Sequence, residues 1–306
     1  MDKIKIICVV GATASGKTGL GVELAKKIGG EIISADSMQV YRGMSIATAA
    51  ATNDEQQGIP HYLLEFLNPS DTFSVADFVK LAGEKVFDIN NNGKVPIIVG
   101  GTGLFIDSLV QNITFADVQA DDELRKQLNQ KSTDELYNEL MSVDSAAAES
   151  IHKNNRKRVI RALELYYGGV SKTEQNEKSR IGENPFDALY IGINYRNREV
   201  LYDRINRRVD LMLDAGLINE AKSFADNEGI TSRQAIGHKE LKPYFDGVIT
   251  LDEAVDNIKK GTRHYAKRQL TWFRRNNEIN WLYADEMKHE ELINKAVSMS
   301  LEFLKK

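Results

Sequence analysis

Apolar residues in this chain fall into short continuous runs separated by longer stretches of helical periodicity, the pattern of doubly buried strands alternating with helices. The run "IKIICVV" (4–10) is apolar and rich in β-branched residues, and it predicts a strand. A helix should follow, because Leu20, Leu24 and Ile28 recur at four-residue intervals and Gly29 and Gly30 supply a stop. "EIISAD" (31–36) predicts the next strand and closes a β-loop-α-β unit, and "VPIIVGG" (95–101), "ALYIGI" (188–193) and "INWLYA" (279–284) predict further strands. The alternation implies an α/β fold, a parallel sheet flanked by helices on both faces.

Between 116 and 185 the strand signal lapses and helical patterning takes over. We read 116–185 as a helical insertion domain in a core made of 1–115 and 186–306. Within it, "GGVSKTEQNEKSRIGENP" (168–185) is polar and reads as a mobile surface loop.

The first loop carries recognisable chemistry. In "VVGATASGKTGL" (9–20) the spacing Gly11-x-x-x-x-Gly16-Lys17-Thr18 sits between a predicted strand and a predicted helix. Backbone N–H groups and the positive helix end then face one anion site, formed by Gly11, Thr13, Ala14, Ser15, Gly16, Lys17 and Thr18. Lys17 adds charge for a terminal phosphate, and the Thr18 hydroxyl is placed to hold a Mg²⁺. The fold class is therefore a P-loop NTPase-like α/β sheet. A second acid at a neighbouring strand end usually accompanies such a loop. The run "PIIVGG" ends in glycines, whereas Asp36 ends a strand and opens "DSMQVYRGM". A carboxylate there can accept a proton from a substrate, or serve as a helix cap or a metal ligand.

Composition narrows the partners. The chain has 306 residues, 42% hydrophobic and 27% charged, enough to bury a full core. Its apolar N-terminal run is too short to span a membrane and is followed by glycine rather than a cleavage site, so a cytoplasmic protein with no membrane partner is expected. One cysteine, Cys8, excludes a disulfide framework and reads as a small buried side chain. The five histidines have no metal-ligand spacing, and His61 reads as a structural, hydrogen-bonded residue. A net charge of −4 would argue against nucleic acid if it were evenly spread. It is concentrated instead: "KNNRKRVIR" (153–161) and "KKGTRHYAKRQLTWFRR" (259–275) gather Lys and Arg, with Tyr265, Trp272 and Phe273 in the second run. Arg158 and Arg161 share a helix face, as do Lys260, Arg263, Lys267 and Arg274, suiting RNA phosphates or a solvated face. The rings suit packing or base stacking, with Trp272 assigned to the core.

The stretches "GATASGKT", "ISADSMQVYRGM", "PHYLLEFLNPSDTFSVADF", "PIIVGGTGLF", "RVIRALEL" and "RHYAKRQLTWFRR" occur in the order and at about the spacing of the tRNA dimethylallyltransferases, which the whole chain resembles. The resemblance implies transfer of a dimethylallyl group from dimethylallyl diphosphate to N6 of adenosine 37 in the tRNA anticodon stem-loop. The protein is expected to act as a monomer with Mg²⁺. The loop would hold the departing diphosphate, Asp36 would take a proton from the amine, and Thr102 and Arg208 would join Lys17 and Thr18 in the catalytic set. Without the family, Arg208 reads equally well as part of a solvated helix face with Arg204 and Arg207. Asp36, Ser37, Met38, Gln39, Arg158, Val159, Ile160, Arg161, Lys267 and Arg268 match positions that meet tRNA. A base must leave its stack to reach such a site.

Departures from the family pattern are local. Ala12 replaces a common proline, "MSIATAAAT" (44–52) replaces a sequence closer to "MDIGTAKPT", "IHKNN" (151–155) replaces "IHPND", and His238 stands where tyrosine is common. A relative that prenylates free adenosine phosphates, a small-molecule kinase and a non-catalytic RNA-binding protein are the rival readings. The two basic runs and the insertion favour tRNA over a free nucleotide, and a kinase leaves "DSMQVY" unexplained.

Overall fold

The computed structural model describes residues 3–116, 118, 121–179, 183–224, 229 and 231–306. They form two compact units, Met1–Val110 with Asn184–Lys306, and Gln111–Glu183. The sequence reading drew the second unit at 116–185.

The first unit runs β1 (Ile4–Gly11), α1 (Lys17–Ile28), β2 (Gly30–Ser34), α2 (Ser45–Thr48), α3 (Asn53–Gln56), β3 (His61–Tyr62), α4 (Val75–Asn91), β4 (Val95–Gly100) and α5 (Gly103–Val110). The second unit holds α6 (Asp122–Gln130), α7 (Thr133–Val143), α8 (Ser145–Ser150), α9 (Arg156–Tyr167) and α10 (Lys172–Lys178). The chain then returns to the first unit with β5 (Phe186–Asn194), α11 (Arg198–Asp214), α12 (Leu217–Ser223), α13 (His238–Phe245), α14 (Leu251–Phe273), β6 (Asn280–Tyr283) and α15 (His289–Lys305).

Six strands make one parallel sheet in the order β3-β2-β4-β1-β5-β6. The five strands expected from sequence are present, and β3 is an additional edge strand of two residues, too short to leave a periodic signal. Side chains alternate across the sheet. Ile6, Cys8, Val10, Ile33 and Ile98 pack with Phe78 and Phe105 of α4 and α5, while Ile7, Val9, Ile32 and Ile97 pack with Leu20 and Leu24 of α1 and Leu292 of α15. Cys8 is fully buried, and that burial pushes its thiol pKa up, so it is an inert core residue.

Strand register decides where the site sits. Val10 pairs with Gly100 and Ser34 with Val99, so β1, β4 and β2 end at one level of the sheet. The loops leaving these ends, beginning at Gly11, Gly101 and Ala35, therefore converge at the carboxyl edge, where open α/β sheets bind ligands.

The helical unit has its own core, which includes Leu128, Leu136, Leu140, Val159, Ile160 and Leu163. Buried in it is Glu164, gripped by Arg125 through two hydrogen bonds and by Arg161 at 3.2 Å. The 168–185 stretch is not simply a loop. Ser171 and Glu174 form a capping box that starts α10, and the Gln175 side chain accepts from Ala116 N–H and donates to Thr114 carbonyl. Capping and a buried amide outweigh the polar composition there; Arg180 to Gly182 lie outside the described residues.

Candidate functional site

The phosphate loop is pinned by its carbonyls. Lys17 Nζ donates to Ala12 O at 3.0 Å, Arg204 Nε to Ala14 O at 2.9 Å, and Tyr195 hydroxyl to Ser15 O at 3.3 Å. These contacts hold Ala14 at φ 60°, a left-handed conformation that costs a non-glycine residue about 1 kcal/mol. Two of the loop amides are bonded within the protein, Thr13 N–H to Gln269 Oε1 at 2.8 Å and Ser15 N–H to Ala12 O at 3.2 Å. Gly16 precedes α1 without any side-chain cap, and no acid occupies the first turn, so the leading N–H groups of Lys17, Thr18 and Gly19 are left for an external anion.

Two cations attend this cradle. Lys17 is lowered from its usual range to about 8, first by burial and then by Arg208, with Asp36 opposing. Arg208 is also lowered, mainly by burial. Among the described residues neither forms an ion pair within 4.0 Å. Desolvated, mutually repelling cations are stabilised by a polyanion between them. A pH dependence follows. Above about pH 8 the free Lys17 is neutral and must take up a proton before it can pair with an anion. Affinity for inorganic pyrophosphate should therefore be steady below that pH and fall up to about tenfold per unit above it through this group. Calorimetric titration of the protein and of Lys17→Met across that range checks this, and the variant should lose that part of the slope.

Asp36 stands just past β2, half-buried. Its Oδ1 accepts from Met38 N–H at 2.9 Å, while Oδ2 has no hydrogen-bond partner among the described residues. Ser37 N–H donates to Thr102 Oγ1 at 3.1 Å, and Thr102 N–H donates to Ala35 O at 3.1 Å, which ties the β2 and β4 loops together. Asp36 is in a small cavity of about 40 Å³ with Lys17, Thr18 and Arg208, and in a larger one of about 280 Å³ with Ser37, Met38, Arg208, Tyr265 and Arg268. Thr13 lines both. A wider cleft of about 650 Å³ runs past Gly16, Lys17, Thr18, Arg204, Arg207 and Arg208.

Gln39 is committed to the protein. Its Oε1 accepts from Ser34 Oγ at 3.1 Å, and its Nε2 donates to the carbonyls of Thr48 at 3.2 Å and Ala49 at 3.1 Å, at the end of α2. The other end of α2 is held by Glu220, whose two oxygens accept from Ile46 N–H at 2.8 Å and Ala47 N–H at 2.9 Å. His238 Nε2 lies 2.9 Å from the same carboxylate, and its ring stacks on Phe224 with centroids 5.4 Å apart. Two departures that look unrelated in sequence, at 44–52 and at 238, thus meet on one side chain.

Helix α14 closes the site from the other side. Gln269 Oε1 accepts from Thr13 N–H at 2.8 Å and its Nε2 donates to Gly101 O at 3.0 Å. Tyr265 is raised first by its burial and then by Asp36. The glycines after β4 permit this approach, since a Cβ on Gly101 would stand 2.1 Å from Gln269 Nε2 and one on Gly103 would stand 2.1 Å from the Trp272 ring. Trp272 is half-buried rather than fully core, because its indole N–H reaches Asp107 Oδ2 at 2.7 Å and Arg275 covers its face at 3.9 Å. His61 Nδ1 lies 2.8 Å from Ile59 O.

Lys267 and Arg268 are exposed on α14, and Arg263 donates to Asn206 Oδ1 at 2.6 Å. In the helical unit Arg158 and Arg161 are exposed on α9, and Lys172, lowered first by its burial and then by Arg161 and Arg158, lies near them. Val159 and Ile160 are 1% and 7% exposed and belong to the core of that unit, so their side chains are not available to RNA. Sequence reasoning did not single out Gln269, Glu220 or Lys172; the two glycines at 101 and 103 signal a close neighbour without naming it.

The site sets uncapped helix N–H groups and two cations at one end, a carboxylate in the middle and a half-apolar pocket at the other end. The IPP transferase family profile matches residues 39–276. The tRNA dimethylallyltransferase of Thermoanaerobacter sp. is 45% identical over 303 residues, covering 96% of each chain, and that of Staphylococcus aureus is 44% identical, covering 96% of this chain and 98% of the other. A tRNA isopentenylpyrophosphate transferase structure from Bacillus halodurans has a TM-score of 0.75 at 42% identity, covering 99% of this chain and 97% of that one. A eukaryotic dimethylallyltransferase that acts on tRNA has a TM-score of 0.86 at 29% identity, covering 99% of this chain and 80% of the other. Similarity at that level over nearly the whole length, together with a cradle, a carboxylate and a pocket on one sheet edge, means that this chain belongs to the tRNA dimethylallyltransferase family of IPP transferases.

Proposed function

We propose that this transferase moves the dimethylallyl group of dimethylallyl diphosphate to N6 of adenosine 37 in tRNA, releasing diphosphate. The observation that carries the reading is Asp36, a carboxylate with one oxygen unpartnered among the described residues, placed between a cation-flanked anion cradle and the 280 Å³ pocket.

In the step, the N6 nitrogen forms a bond to the allylic carbon as the carbon–oxygen bond to diphosphate breaks. The bonding pair goes to the diphosphate oxygen, and Asp36 takes the N6 proton. Charge developing on the leaving oxygen is met by Lys17, Arg208 and the amides at the start of α1. The donor set suits Mg²⁺ only in part. Among the described residues no group of three or more His, Cys, Asp or Glu side chains could cage an ion. However, the Thr18 hydroxyl lines the cavity beside the cradle, and diphosphate oxygens would complete an oxygen shell there. Bound there, Mg²⁺ would neutralise charge on the departing diphosphate.

Arg158, Arg161 and Lys172 of the helical unit, with Lys267 and Arg268 of α14, supply cations for RNA backbone. Replacing Arg158 and Arg161 by Ala should raise the tRNA requirement, leave donor affinity unchanged and reduce the salt slope of tRNA binding by about one per residue removed. An unchanged tRNA dependence would remove this face from the interface.

The direct test is incorporation of label from dimethylallyl diphosphate, with Mg²⁺, into unmodified anticodon stem-loop RNA, with AMP as a parallel acceptor. Label in the RNA is the expected result. Label in AMP alone, or in neither, would overturn the proposal.

A further inference from the structure

A phosphate loop of this spacing commonly serves nucleoside triphosphates, so something in this protein must decide how many phosphates it takes. We propose that Gln269 makes the loop selective for diphosphate over triphosphate by occupying the Thr13 amide; the inference deepens the reading of the donor as a diphosphate ester and rests on it.

Thr13 lines both the small cavity with Lys17 and Thr18 and the larger one with Ser37 and Tyr265, so a phosphate chain extended from the helix end toward Asp36 passes it. A third phosphate there would need donors. The Thr13 N–H is spent on Gln269 Oε1 at 2.8 Å. Asp36, which borders both cavities, would repel the extra charge. Gln269 cannot turn away cheaply, because its Nε2 is bonded to Gly101 O at 3.0 Å and the side chain is only 4% exposed. At Thr13 the loop is thereby left without a free N–H for another phosphate, so the extra charge would fall to the side chains of Arg208 and Arg268 in the larger cavity, opposed by Asp36.

The experiment compares binding of inorganic pyrophosphate and inorganic tripolyphosphate by calorimetry in the whole protein, Gln269→Met and Gln269→Glu. Wild-type protein should favour pyrophosphate. Gln269→Met keeps the bulk but frees the Thr13 N–H, and the preference should narrow about tenfold, the worth of one hydrogen bond to a charged group. Gln269→Glu retains an acceptor for Thr13 while adding negative charge, so it should weaken both anions, tripolyphosphate the more, and the preference for pyrophosphate should persist or widen. Equal preference in the wild-type protein, or an unchanged ratio in Gln269→Met, would overturn the proposal. Because no prenyl donor is present, this result is separable from the label-transfer assay: failed transfer with an intact pyrophosphate preference condemns the donor assignment and not the role of Gln269.

Discussion

Asp36→Asn should lower the rate of dimethylallyl transfer by about two to four orders of magnitude, the usual worth of a positioned general base. The substitution is chosen to keep the local turn: an Asn side-chain oxygen still accepts from Met38 N–H, as Asp36 Oδ1 does at 2.9 Å. What it removes is the capacity to take a proton from an exocyclic amine whose lone pair is delocalised into the purine. The cradle amides, Lys17 and Arg208 remain, so affinity for inorganic pyrophosphate should not fall, and losing one neighbouring negative charge could raise it. Single-turnover transfer and pyrophosphate calorimetry on the same preparation separate the two. Loss of pyrophosphate binding together with transfer would mean that Asp36 builds the cradle rather than serving the acceptor.

Glu220→Ala should cost about 3 kcal/mol of stability in urea unfolding. The side chain is 8% exposed, and deleting it leaves the amides of Ile46 and Ala47 and the equally buried His238 without their acceptor. The consequence reaches the pocket, because α2 carries Ala47 and Thr48 in its wall and offers the Thr48 and Ala49 carbonyls to Gln39. We therefore expect a higher KM for the stem-loop with little change in pyrophosphate affinity. His238→Phe keeps the ring against Phe224 and removes one hydrogen bond, so its loss should be nearer 1 kcal/mol. Stability of Glu220→Ala within about 0.5 kcal/mol of the parent protein would show that water replaces the carboxylate at the start of α2.

The pairing of Glu220 with His238 also places the unusual residues of 44–52. Against the family pattern, Ala47 stands where glycine is usual, and Ala50 and Ala51 stand where a Lys-Pro pair is usual. In the structure Ala47 contributes its amide to Glu220, a role that any residue other than proline fills, and its methyl lies on the pocket wall.

Much of the site was readable along the chain because its signals are local. A phosphate loop is a contiguous run whose glycines and lysine act within one turn of a helix, and Asp36 follows its strand by two residues. Apolar runs and four-residue spacing report burial on one element at a time, so five strands and the helical insertion were visible. The two-residue strand β3 and the capped helix α10 were not, because one is too short for a period and the other is stabilised by distant partners, Ala116 and Thr114. Tertiary structure alone decided that Gln269 reaches Thr13 across 256 positions, that Glu220 serves both α2 and His238, and that Val159 and Ile160 point inward. Such contacts leave no periodic trace. They depend on where packing sets a whole helix against three strand ends, and a hydrogen bond can close only after that packing has brought its partners within reach.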